Sequence, residues 1–238
     1  MLSSLPPIKI YTDASTIDDV TRFAAEPWVS GFTTNPTLMR KGGATDYREF
    51  ALAALAAAGD KPLSLEVVAD DPATMVEQGL TLGSWAETVV VKIPITTTTG
   101  ESCLPVVRSL LDADIRVNVT AMMTDDQMRG LVEILDRDDR VIASVFAGRI
   151  ADAGIDPVPV MTRYAEWLAS WPNAELLWAS PREVLNIVQA SQCGCDIITV
   201  TPDVLAKLPT LGKDLAAFSL ETVTMFRDDA VSAGLSIH

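Results

Sequence analysis

Histidine is nearly missing from this 238-residue chain, whose single copy is His238. That leaves no material for a His-rich metal site and none for a histidine-based triad at the centre of the chain. Cysteine is scarce as well: Cys103, Cys193 and Cys195 make an odd number. Cys193-Gly194-Cys195 is tighter than the usual zinc or redox spacings, so the three read as reduced core thiols. Basic residues are outnumbered, 18 Lys and Arg against 32 Asp and Glu, for a net charge of −14. Such a surface disfavours nucleic acid and anionic membrane, and any anion site must be built locally. No apolar run is long enough for a membrane span, and Met1-Leu2-Ser3-Ser4-Leu5-Pro6-Pro7 lacks the basic and apolar regions of a leader. The chain reads as cytoplasmic. Low-complexity tracts and linkers are absent too, and residues 1–238 read as one domain.

What is present is an alternation of strand and helix patterns. Strands are expected at Ile8–Asp13, Trp28–Phe32, Leu63–Val67, Thr88–Pro94, Ile115–Val119, Val141–Val145, Glu175–Ala179 and Asp196–Val200. Helix starts fall between them: a serine cap at Ser15, Asp71-Pro72, the capping box Thr124 to Gln127, Ser180-Pro181-Arg182-Glu183, and Thr201-Pro202. Val160, Tyr164, Trp167, Leu168 and Trp171 form the stripe of a helix laid on a sheet. Eight strands, each followed by a helix, predict an α/β fold of the (β/α)8 TIM-barrel type. An extra amphipathic helix over about 213–232 lies outside the count, within a C-terminal extension over 211–238. A doubly wound sheet is disfavoured because no glycine-rich loop follows the first strand.

One strand is anomalous. Thr88-Val89-Val90-Val91-Lys92-Ile93-Pro94 carries an amine at the carboxyl end of an apolar run. Burial penalises an ammonium, and a neutral amine is a nucleophile for carbonyls. In a barrel of this kind chemistry sits at the carboxyl ends of the strands. Read there, the other strands offer Asp13, Thr34 with Asn35, Glu66, Asn118 with Thr120, Ser144 with Phe146, and Ser180 with Arg182. Each has an ordinary explanation alone: Asp13 and Asn35 as turn formers, Ser180 as a cap, Arg149 and Arg182 as surface ion pairs, Glu66 as a solvated acid, Lys92 as a snorkelling side chain. Their convergence on one mouth favours chemistry. A lysine amine would condense with a ketone to an iminium, an electron sink that lets the neighbouring carbon–carbon bond break. Asp13 and Glu66 are the carboxylates available for the protons. Asn35 and Asn118 suit sugar hydroxyls, and Arg149 and Arg182 suit a terminal anion.

Thr33-Thr34-Asn35-Pro36-Thr37, Val91-Lys92-Ile93-Pro94, Asn118-Val119-Thr120, Phe146-Ala147-Gly148-Arg149-Ile150 and Ala179-Ser180-Pro181-Arg182 together resemble, in order and spacing, the motifs of the transaldolase family. The resemblance covers about Ile8 to Lys207. It implies Lys92 as the Schiff-base residue, Asp13 as acid/base, Glu66 and Thr120 around a relay water, and Asn35, Asn118 and nearby Ser144 around substrate hydroxyls. It further implies a phosphate site of Arg149, Ser180 and Arg182, with neither metal nor organic cofactor. Thr34 and Phe146 complete the candidate set. Aldolases of this family carry glutamine and tyrosine where this chain, like the transaldolases, has Glu66 and Phe146. The short length resembles forms that assemble as homo-oligomers through the last helix. Pro181 departs from the family pattern, which usually has an aromatic residue there, so the terminal group is phosphate by default with sulfonate as the alternative.

The expected function is therefore transfer of a dihydroxyacetone unit between anionic, phosphorylated sugars. Fructose 6-phosphate cleavage is the nearest rival. A silent sugar-phosphate binding protein and a pyridoxal phosphate enzyme are rivals from other classes, the second because that cofactor also needs a lysine and a phosphate site.

Overall fold

The computed structural model describes residues 5–237, so residues 1–4 of the opening stretch and His238 lie outside the described residues. Eight parallel strands close into one barrel in sequence order, each paired with its chain neighbours and β1 with β8. They are β1 (Lys9–Asp13), β2 (Val29–Thr33), β3 (Leu63–Glu66), β4 (Val89–Pro94), β5 (Val117–Met122), β6 (Val141–Val145), β7 (Ala174–Trp178) and β8 (Ile197–Val200). Between them and after them run α1 (Ile17–Ala24), α2 (Pro36–Lys41), α3 (Tyr47–Ala58), α4 (Pro72–Gly83), α5 (Leu104–Asp112), α6 (Asp125–Ile134), α7 (Ala147–Asp152), α8 (Pro157–Leu168), α9 (Leu185–Gln192), α10 (Pro202–Leu205) and α11 (Leu215–Ser232). This is the expected (β/α)8 barrel with an extra C-terminal helix.

Strand periodicity divides the interior in two. Side chains turned toward the helices, among them Val89, Val91 and Ile93 of β4, join one large core with Leu63, Val117, Val141, Trp178 and Ile198. Side chains turned into the barrel form a smaller core of Tyr11, Val90, Ile142, Leu177, Ala179 and Ile197. Lys92 has the parity of Val90. It therefore points inward, and its strand end lifts it above that inner apolar layer into the mouth. The pairing register sets its neighbours, with Lys92 opposite Glu66 of β3 on one side and Asn118 of β5 on the other.

Local chemistry explains where the expectations shift. Thr16, not Ser15, caps α1, accepting from the Asp19 N–H at 3.1 Å. Asn35 caps α2, accepting from the Leu38 N–H at 2.9 Å, so the polar turn after β2 contains a helix. β5 runs later than expected and carries an irregularity where Ala121 has φ 62°. Ser180 is no helix cap: its φ is 63°, and α9 starts only at Leu185. α11 buries none of its residues, and Leu215, Leu220, Val223 and Phe226 are all exposed. It thus lays no apolar face on the barrel.

Candidate functional site

The carboxyl ends of the strands surround a cavity of about 480 Å³. Asp13, Asn35, Glu66, Lys92, Thr120, Ser144, Phe146, Arg149 and Ser180 line it, which brings nine of the twelve expected residues into one mouth. Lys92 is 6% exposed at its floor. Its Nζ donates to the Thr34 carbonyl at 2.9 Å and lies 3.1 Å from Glu66 Oε2. Glu66 is itself steadied from outside the barrel, where the Tyr47 hydroxyl donates to its backbone carbonyl at 2.7 Å. Burial raises the Tyr47 hydroxyl pKa, so Tyr47 stays a donor at neutral pH.

Asp13 ends β1 beside Thr33 at the end of β2. The Thr33 hydroxyl donates to Asp13 Oδ1 and also meets the Thr199 hydroxyl of β8. Enclosure in the mouth pushes the Asp13 carboxyl above its ordinary range, while Lys92, Thr33 and Thr199 pull it down and Glu66 adds to the rise. A carboxyl raised in this way holds its proton more readily than a free one, which suits it to acid/base work. The Thr120 hydroxyl is buried with no hydrogen-bond partner among the described residues, which leaves its donor and acceptor capacity for a ligand or a water.

Three expected residues sit elsewhere. Thr34 turns its side chain into the wall, donating to the Ser64 carbonyl at 3.0 Å, and contributes its own carbonyl to Lys92. Asn118 is fully buried between Ser64 and Ser144: its Nδ2 donates to Ser64 Oγ at 3.1 Å and its Oδ1 accepts from Ser144 Oγ at 2.7 Å. It does not line the cavity. Arg182 lies in the turn before α9, where its Nε donates to Asp152 Oδ1 at 3.0 Å and its Nη1 to Ser180 Oγ at 3.0 Å. The Asp152 carboxylate binds it through a second oxygen as well, and that partner raises the Arg182 pKa further. Arg182 is thus one partner of a surface ion pair. Nor do amides of that turn face an anion, because the Arg182 and Glu183 N–H groups both donate to Asn186 Oδ1.

Arg149 is on α7, a six-residue helix whose position depends on Gly148. A Cβ on Gly148 would lie 1.6 Å from the Ser180 carbonyl oxygen, so only glycine lets the Arg149 and Ser180 segments touch. Thr33 and Thr199 are the functional candidates that the sequence did not single out. Their equal parity with Asp13 and Lys92 at the strand ends is the signal that points to them. Among the described residues no three His, Cys, Asp or Glu side chains are grouped to hold a metal ion, and no helix is long and apolar enough to cross a membrane.

The barrel resembles solved enzymes at low identity. One is 3-keto-L-gulonate-6-phosphate decarboxylase from Vibrio cholerae, with a TM-score of 0.54, 13% identity, and coverage of 83% of this chain and 88% of that one. That likeness shows the fold alone. A "Probable transaldolase" of Nitrosopumilus maritimus is 31% identical over 84% of this chain and 87% of its own length. A "Probable transaldolase 2" of Listeria monocytogenes is 30% identical over 89% and 94%. The family profile described as transaldolase/fructose-6-phosphate aldolase matches residues 10–236, nearly the whole barrel together with α11. The chain is a member of the transaldolase/fructose-6-phosphate aldolase family.

Proposed function

We propose that this protein is a cytoplasmic transaldolase that moves a dihydroxyacetone unit from an anionic ketose to an aldose through a Schiff base on Lys92. The observation that carries the reading is the Lys92 amine, enclosed at the floor of the mouth and 3.1 Å from the Glu66 carboxylate. The amine gives up a proton, with Glu66 as the adjacent acceptor, and adds to the ketose carbonyl. Loss of the carbinolamine hydroxyl as water leaves an iminium, and Thr120 with Glu66 holds the water that relays those protons. Asp13 then removes the proton of the hydroxyl beyond the scissile bond. The carbon–carbon bond electrons pass to the iminium, and the aldehyde half departs. The enamine that remains attacks the carbonyl of the acceptor aldose, Asp13 returns the proton, and hydrolysis frees Lys92. Asn35, whose Oδ1 is engaged in capping, offers its amide N–H groups to substrate hydroxyls, and Ser144 offers its hydroxyl.

For the terminal anion the reading relies on Arg149 and Ser180. Pro181 has no N–H to add, and Arg182 is already neutralised by Asp152. Arg149→Gln is therefore expected to raise the KM for a phosphorylated substrate about 10- to 100-fold, the worth of one charge-assisted hydrogen bond. Arg182→Gln should raise it less than Arg149→Gln. Steady-state kinetics of both variants decide it, and the reverse order would move the anion to Arg182.

Transfer is favoured over simple cleavage by the Glu66 and Phe146 pair. Phe146 lines the mouth with the Arg149 guanidinium 5.6 Å from its ring centroid, and offers no hydroxyl to protonate the enamine. Phe146→Tyr is expected to increase release of free dihydroxyacetone at the expense of transfer. A coupled assay for that product distinguishes the two, and a parent enzyme that already releases it as its main product would be an aldolase.

Assembly belongs to the same proposal. The exposed apolar side chains of α11 would be covered by further copies of the chain. Light scattering is expected to show an oligomer, and a monomer would contradict it.

A further inference from the structure

At the amino end of β8, opposite the mouth, two thiols face each other. Cys193 caps the carboxyl end of α9, Gly194 follows with φ 85°, and Cys195 leads into β8. That left-handed glycine reverses the chain, and the turn is tied down by three backbone bonds. The Cys193 N–H donates to the Gln189 carbonyl at 2.9 Å, the Gly194 N–H to Ser191 at 3.3 Å and the Cys195 N–H to Ala190 at 3.0 Å. The two Sγ atoms are 3.6 Å apart and both thiols are free.

We propose that Cys193 and Cys195 are a redox-reactive dithiol that a small peroxide closes into an intramolecular disulfide. Two residues of chain span at most about 7 Å, and the turn shortens that span toward the Cα separations that disulfides require. Exposures of 5% and 6% admit a small oxidant and leave no room for a thiol from another protein. The contact also divides the roles of the sulfurs. Hydrogen bonding from Cys195 holds the Cys193 thiol below its ordinary pKa, whereas the same contact and burial push Cys195 up. That asymmetry makes Cys193 the attacking sulfur and Cys195 the one that resolves it.

In the first step Cys193 attacks one peroxide oxygen, the O–O bond breaks, and the departing hydroxide takes a proton to leave as water. This gives a sulfenic acid on Cys193. Cys195 then loses its proton and attacks that sulfur, expelling the hydroxyl as a second water. Two thiols are oxidised by two electrons and one hydrogen peroxide is reduced to two waters. Closing so short a loop constrains the unfolded chain little, so the bond is not a structural staple. A reductant such as dithiothreitol reopens it by exchange.

Cys103 is the internal control. It is buried in the core with the Met75 thioether 3.8 Å away, a sulfur that cannot form a disulfide. The test exposes the full-length protein to stoichiometric hydrogen peroxide, alkylates it in denaturant and maps the peptides by mass spectrometry. The expected result is loss of alkylation at Cys193 and Cys195 together, a linked peptide lighter by two hydrogens, full recovery with dithiothreitol and continued labelling of Cys103. In Cys195→Ser, dimedone is expected to trap a sulfenic acid on Cys193 at least tenfold more than in the parent. Continued alkylation of both thiols, conversion to sulfinic acids that dithiothreitol does not reverse, linkage between chains, or equal dimedone labelling of parent and variant would each overturn the proposal.

Discussion

Lys92→Ala is expected to lower turnover by about four orders of magnitude or more, over ~5 kcal/mol of transition-state stabilisation. The proposed reaction loses its covalent route and not only a contact, because among the described residues no other amine lines the cavity. Anion binding should survive, since Arg149 and Ser180 come from the segments after β6 and β7. Calorimetry with inorganic phosphate is expected to give a Kd within about threefold of the parent, well under 1 kcal/mol. Lys92→Met checks that the effect is chemical, because it keeps most of the buried stem. Turnover of either variant within tenfold of the parent would show that the amine does not react.

Asp13→Asn is expected to cost about 10²- to 10⁴-fold in kcat, the usual worth of a positioned acid/base. It should also make the protein more stable at neutral pH. Burial raises the Asp13 pKa above its unfolded value, against the smaller downward pull of Lys92, Thr33 and Thr199. A carboxyl raised in the fold contributes stability that is fully present below its unfolded pKa, about 4, and lost as pH rises through its folded pKa. Above about pH 4 the parent therefore bears the cost that burial places on ionising this carboxyl. The asparagine side chain does not, and its carbonyl oxygen can still accept from Thr33. Thermal unfolding should show a Tm gain of a few degrees for Asp13→Asn at pH 7 that shrinks toward pH 4. A gain independent of pH, or a loss at pH 7, would contradict the electrostatic origin.

Much of this site is legible in the sequence because a lysine in an apolar strand violates the local pattern. The family motifs then supply its neighbours at consecutive strand ends. The alternation that turns Lys92 inward is hidden, however, since Val89, Val90 and Val91 are equally apolar on both faces of β4. Thr33 and Thr34 differ only in parity, and one meets Asp13 while the other turns into the wall. Thr199 meets Thr33 from 166 residues away because β8 closes against β1, a contact that exists only in the finished barrel. Likewise the partner of Arg182 is Asp152, 30 residues earlier at the end of a helix too short to show periodicity. Ser180 looks like a cap because serine before proline commonly is one, but its backbone is left-handed and its carbonyl lies against Gly148. Helix existence was readable from caps and stripes, whereas α2 and α7 were not, each being six residues long.

Borohydride reduction in the presence of fructose 6-phosphate, followed by peptide mass spectrometry, reads out whether Lys92 itself bonds to the sugar. A reduced dihydroxyacetone-sized adduct on the peptide bearing Lys92, absent without sugar, is the predicted result. An adduct on another lysine, or none with this sugar or any other anionic ketose while the protein still binds them, would contradict the Schiff-base reading and leave a barrel that holds anionic sugars without cleaving them.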